Sequence, residues 1–109
     1  MTKHTFTIKN VEKLSFNKYT NMHWSNKKKF KDLMRSKTMY ASNGLALKSG
    51  WNLDFTFYFM GRKLDSVNIF HYVKVIEDTI FIEDSKNKRI SVETFKAKEN
   101  YIEVTIWKQ

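Results

Sequence analysis

Residues 51–60, Trp-Asn-Leu-Asp-Phe-Thr-Phe-Tyr-Phe-Met, put an apolar side chain at every second position from Trp51 through Leu53, Phe55, Phe57 and Phe59. A period of two is the repeat of a β-strand with one face turned to a core. Five bulky apolar residues on that face require another layer to cover them. Tyr58 and Met60 imply that the opposite face is partly covered as well. No other stretch specifies its secondary structure so strongly.

The remaining elements fall in around this strand. Residues 4–11 alternate polar and apolar, which predicts a short strand with Phe6, Ile8 and His4 on one side. Residues 12–24 are rich in loop formers and show no clear period. A helix is predicted over about 26–42, capped by Ser25 and ended by Asn43-Gly44. Its apolar stripe is Phe30, Leu33, Met34 and Ala41, with Tyr40 at the edge. A second helix, over about 67–79 with Ser66 as cap, carries Ile69, Val73, Ile76 and Ile80 at core spacing. Two alternating strands close the chain, with Lys98-Glu99-Asn100 as a hairpin turn between them. The order is β-α-β-α-β-β, a mixed α/β (α+β) arrangement within one domain, residues 1–109. No internal repeat, linker or proline interrupts it.

Charge is distributed unevenly over these elements. The chain carries a net +9. Residues 1–50 hold eleven Lys/Arg against two acids, whereas residues 51–109 hold nine of each. The whole excess therefore lies in the first half. A polarised positive field of this kind favours a polyanion, most often nucleic acid; the bland alternative is a solubilising surface. Lys27, Lys28, Lys29, Lys31, Arg35 and Lys37 crowd the first helix, and Lys18 precedes it. Phe16, Tyr19, His23 and Trp24 sit among these cations, where aromatic rings can stack on unpaired bases or anchor a loop.

Other chemistries are disfavoured. The absence of cysteine removes disulfides, thiolate metal sites and cysteine nucleophiles. Three histidines without HxxxH or HxH spacing argue against zinc. His71, mid-helix beside the apolar stripe, reads as a surface or interface residue. No glycine-rich phosphate loop or nucleophile elbow is present. With neither a signal-peptide h-region nor an apolar run long enough to span a bilayer, the expectation is a cytoplasmic protein with no membrane partner.

Acid is concentrated in the one segment that the basic half does not explain. Asp65 precedes the second helix, Glu77 and Asp78 lie on it beside Lys74, and Glu83-Asp84 follows it. Hard oxygen donors at both ends of one helix suit Mg²⁺ or Mn²⁺, which activate water for phosphodiester hydrolysis. Lys74 would add charge stabilisation. Spacing alone leaves simpler readings open, with Asp65 serving the helix dipole and Glu77 and Asp78 decorating a solvated face.

The segment Leu64-Asp65-Ser66-Val67-Asn68, then Lys74, Asp78 and Glu83-Asp84-Ser85, resembles the phage and prophage branch of the RusA family of Holliday-junction endodeoxyribonucleases. That branch runs Leu-Asp-x-Asp-Asn, a lysine six residues after the asparagine, an aspartate four later, and an Asp-Asp pair beyond the helix. Upstream, Ser15-Phe16-Asn17-Lys18-Tyr19 and Met22-His23-Trp24, leading into a lysine-rich helix, resemble the family's N-terminal loop and first helix, and the expected closing hairpin is similar to the family's, so the likeness extends over most of the chain. The resemblance implies a small mixed sheet flanked by two helices, a homodimer, and Mg²⁺-dependent cutting of branched DNA such as a four-way junction. It implies Asp65, Glu83 and Asp84 as metal ligands and Asp65, Lys74 and Asp84 as the catalytic set. Asn68 and Asp78 would support them. Lys18, Lys27, Lys28, Lys29, Lys31, Arg35 and Trp24 would hold DNA.

One position departs from the pattern. The family's second aspartate is Val67 here, and valine cannot ligate a metal. Its alternative role is helix packing. The competing expectation is a catalytically degenerate relative that occupies DNA, or inhibits another protein, without cutting.

Overall fold

The computed structural model describes residues 1–82 and 87–109. Strand β1 (Thr2–Lys9) is followed by a short helix α1 (Phe16–Thr20) and the long helix α2 (Trp24–Ala41). Strand β2 (Asn52–Met60) leads through a 3₁₀ turn (Ser66–Asn68) into helix α3 (Phe70–Ile80). Strands β3 (Arg89–Ala97) and β4 (Tyr101–Lys108) end the fold. It is mixed α+β, with a four-stranded mixed sheet and helices packed into one core with it.

β2 behaves as its alternation requires. Trp51, Leu53, Phe55, Phe57 and Phe59 are all buried, each contributing about 2 kcal/mol of apolar burial. Cross-strand register extends the buried face. Phe55 lies opposite Val104 and Phe57 opposite Ile102, and β1 adds Phe6 and Ile8 beside the same two residues. Ile69, Val73, Ile76 and Ile80 of the α3 segment close this core from above, as their spacing predicted.

The sheet order is β1-β4-β2-β3, which corrects the expected terminal hairpin. β3 and β4 do not pair, because β2 lies between them. β3 runs parallel to β2, and α3 provides the long crossover that parallel pairing needs. β4 is antiparallel to both β1 and β2. The link 98–100 therefore spans two strand spacings, about 10 Å, within reach of three extended residues. Asn100 secures the crossing. Its Oδ1 accepts the Met60 amide at 2.7 Å, and its carbonyl accepts the Val11 amide at 3.2 Å. Burial decides which strand is central. Ile102, Val104 and Ile106 of β4 are buried, whereas no residue of β3 is. The charge-bearing strand takes the edge, where Arg89, Glu93 and Lys96 oppose unwanted pairing.

The helices differ from expectation in detail. Ser15 caps α1, within a stretch that reads as loop in the sequence, by accepting the Lys18 amide at 3.2 Å. His23, not Ser25, caps α2, its ring accepting the Ser25 amide at 3.3 Å. The inward stripe of α2 is Phe30, Met34 and Thr38, while Leu33 and Tyr40 face solvent. Thr38 is tolerated inside because its hydroxyl donates to the Met34 carbonyl at 2.7 Å. Asn43 and Gly44, at φ 57° and 71°, end α2 as expected. Ser66 begins the 3₁₀ turn instead of capping α3; Asp65 is the capping position of that turn, without a side-chain bond. None of the described helices is long and apolar enough to cross a membrane.

The first turn of α3 grips the segment after β1. The Tyr72 hydroxyl accepts the Leu14 amide at 2.7 Å and donates to the Glu12 carbonyl. Burial pushes the Tyr72 phenol well above its ordinary pKa, so it stays a donor. Tyr72→Phe removes both bonds and leaves the buried Leu14 amide unmatched, an expected loss of about 1–3 kcal/mol. Urea denaturation measures it; a variant as stable as the wild type would show that these bonds do not hold the segment.

Candidate functional site

The basic residues of α2 do not act as one patch. Trp24, Lys28, Lys31 and Arg35 fall at i, i+4, i+7 and i+11, so they form one stripe along the helix. Trp24 is 71% exposed at its N-terminal end, with the His23 ring beside it. Lys28 pairs with Asp32 at 2.8 Å, and Arg35 approaches the same carboxylate at 4.0 Å. The Lys28 hydrogen bond holds the Asp32 carboxyl below its ordinary pKa. Lys27 is half-buried, with its ammonium 5.7 Å from the centre of the Tyr19 ring. Lys29 is exposed on a different side of α2, and Lys18 is exposed on α1. Lys37 donates to the Asn10 carbonyl and fastens α2 to the end of β1.

A groove of about 690 Å³ lies between this stripe and α3. Lys31 and Arg35 line it from α2, Lys74 and Asp78 from α3, and Phe16 and Phe70 contribute apolar surface. Lys74 and Asp78 form an ion pair at 3.1 Å, one turn apart. Two residues of the expected catalytic segment and two of the expected DNA-binding residues thus border the same groove.

Asp65 is exposed at the start of the 3₁₀ turn, and Asn68 is half-buried at its end. The Asp65 carboxylate makes no capping bond to the turn. Val67 between them is 63% exposed, so packing does not account for the valine. Glu83 and Asp84 lie outside the described residues. Asp65 stands before α3, whereas Phe81 and Ile82 leave its other end alongside Leu47. An eleven-residue helix, about 16 Å long, separates these points. Among the described residues, no three of His, Asp and Glu converge as a metal-binding group.

Two buried polar residues revise the reading of α3. Glu77 is only 7% exposed, not on a solvated face. Its carboxylate accepts from the Asn87 side-chain Nδ2 at 3.3 Å, and Oδ1 of the same side chain accepts the Gly50 and Trp51 amides at 3.1 and 3.2 Å. This joins α3 to the entry of β2. The signal was present in the sequence, because Glu77 follows Val73 by four residues on the inward stripe. His71 is 4% exposed and is neither a surface nor an interface residue within this chain. Its Nε2 donates to the Leu14 carbonyl at 2.5 Å, and its ring stacks on Tyr19 with centroids 5.1 Å apart. Its Nδ1 is buried without a partner. Only tertiary packing reveals this, since position 71 lies beside the apolar stripe and not on it.

Burial lowers the His71 pKa from 6.5 to about 4. The unfolded chain therefore takes up a proton below pH 6.5 that the folded chain refuses until about pH 4. Stability is full above pH 6.5 and falls as the pH drops to 4, by up to about 3 kcal/mol from this group. Chemical denaturation at pH 7 and pH 4.5 measures the slope, and His71→Gln is expected to flatten it. An unchanged slope in the variant would assign the acid sensitivity elsewhere. No protein-family model matches the chain, and a search of curated proteins likewise gives no match.

Proposed function

We propose that this protein is a metal-dependent, structure-selective endodeoxyribonuclease of RusA type. It resolves Holliday junctions or related branched DNA in phage recombination and repair, acting as a homodimer in the host cytoplasm. The observation that carries this reading is the shared groove, in which cations of α2 face Lys74 and Asp78 of the RusA-like segment. Lys31 and Arg35 line the groove from α2, and Trp24 and Lys28 continue their stripe toward the N-terminal end of that helix. Such a stripe gives affinity through phosphate contacts that position a duplex without reading its sequence, which suits recognition of branched DNA by shape.

Asp65, with Glu83 and Asp84, would hold Mg²⁺ or Mn²⁺. Bound there, the ion would supply an activated water and stabilise charge on the phosphoryl group. Asn68 would support the site by hydrogen bonding. Lys74, held by Asp78, places a positive charge beside the substrate backbone. Asp65 and the end of α3 lie apart in one chain, so a second copy is a direct way to complete the ligand set.

A second reading is favoured by Val67. An exposed valine at an expected ligand position fits a protein that occupies DNA, or blocks another protein, without cutting.

The test is cleavage of a synthetic four-way junction with Mg²⁺ or Mn²⁺, beside Asp65→Asn and Asp84→Asn. Both substitutions are expected to abolish cutting and leave junction binding intact; cutting that survives both would sink the metal assignment. Val67→Asp, at an exposed position, is expected to raise cleavage. A wild type that binds junctions but never cuts them would favour the second reading. Charge reversal at Lys31 and Arg35 is expected to weaken junction binding and flatten its dependence on salt. Unchanged binding would reduce the α2 stripe to a solubilising face.

A further inference from the structure

The groove between α2 and α3 has features that phosphate contact alone does not use. Phe70, on the first turn of α3, is 56% exposed. Phe16 meets it edge to face, with centroids 6.1 Å apart at 84°. That geometry leaves a face of each ring uncovered by the other. His71 also lines the groove. Its ring is buried beneath that surface, with Nε2 donating to the Leu14 carbonyl. Across the groove, Lys31 and Arg35 supply positive charge.

An exposed aromatic face and two cations match two parts of a nucleotide, a base and a phosphate. We propose that the groove seats one unpaired nucleotide of a DNA strand, with its base against Phe70 and its phosphate on Lys31 and Arg35. The occupant is unpaired because a base within a duplex has both faces covered by its neighbours. Its phosphate lies on the α2 side because the α3 side carries Glu77 and Asp78, the latter paired with Lys74. This inference rests on the proposed DNA binding and is independent of cleavage.

The experiment uses a single-stranded oligonucleotide with one 2-aminopurine and a blunt duplex of the same sequence. Wild-type protein is expected to quench the 2-aminopurine of the single strand. Phe70→Ala is expected to lower the ratio of single-strand to duplex affinity by about tenfold and to lose the quenching. Phe70→Trp, which keeps a stacking face, is expected to retain both. DNA binding with the same quenching and the same ratio in Phe70→Ala would overturn the nucleotide seat and leave the DNA-binding reading standing. A wild type that binds neither oligonucleotide would overturn both.

Discussion

The hold of α3 on the backbone at Glu12–Leu14 governs the arrangement of the helices. His71 and Tyr72, adjacent on one turn, take up the Leu14 amide and the carbonyls of Glu12 and Leu14. These bonds form away from water, where an unmatched backbone group costs about 1–3 kcal/mol. They fix where the chain turns from β1 into α1. The rings of Phe16, Tyr19 and Phe30 then pack around His71. α2 is thereby set beside α3 at a defined spacing, and the groove is the space left between them. Its cationic wall and its α3 wall depend on the same buried contacts.

That dependence links stability to the candidate site. His71 is compatible with the core only when neutral, because burial disfavours its charged form. It also borders the groove. A residue that pins the N-terminal segment thus lies directly beneath the groove surface. Glu77 plays a comparable part at the other end of α3, tying the helix through Asn87 to the entry of β2. Both are polar residues turned inward on a helix whose apolar stripe already accounts for most of its burial.

Much of the architecture was legible because periodicity reports burial directly. The alternation of 51–59 marked the buried strand, and the spacing of Ile69, Val73, Ile76 and Ile80 marked the inward face of α3. The errors have a common origin. Lys98-Glu99-Asn100 has the look of a hairpin turn, yet local turn chemistry cannot tell which strands become neighbours. The choice depended on β4 having three side chains to bury and β3 none. Leu33 and Tyr40 are apolar enough to join the α2 stripe, but the buried face of α2 is Phe30, Met34 and Thr38, with Phe30 packed against Tyr19, His71 and Tyr72. The cationic stripe was legible as composition. Its alignment with Trp24, the diversion of Lys37 to Asn10 and the placement of Lys29 on another side needed the helix and its neighbours.

By itself the sequence determined the mixed α+β class, the central strand, the core face of α3, the end of α2 at Asn43-Gly44 and the polarity of charge. Each follows from local spacing or local backbone preference, which every chain of this sequence carries whatever it packs against. Tertiary structure alone decided the insertion of β4 between β1 and β2, the burial of His71, the exposure of Val67 and the convergence of Lys31, Arg35, Lys74 and Asp78 on one groove. These are outcomes of long-range packing, in which residues distant in sequence compete for the same limited buried surface, and no local pattern encodes which of them wins.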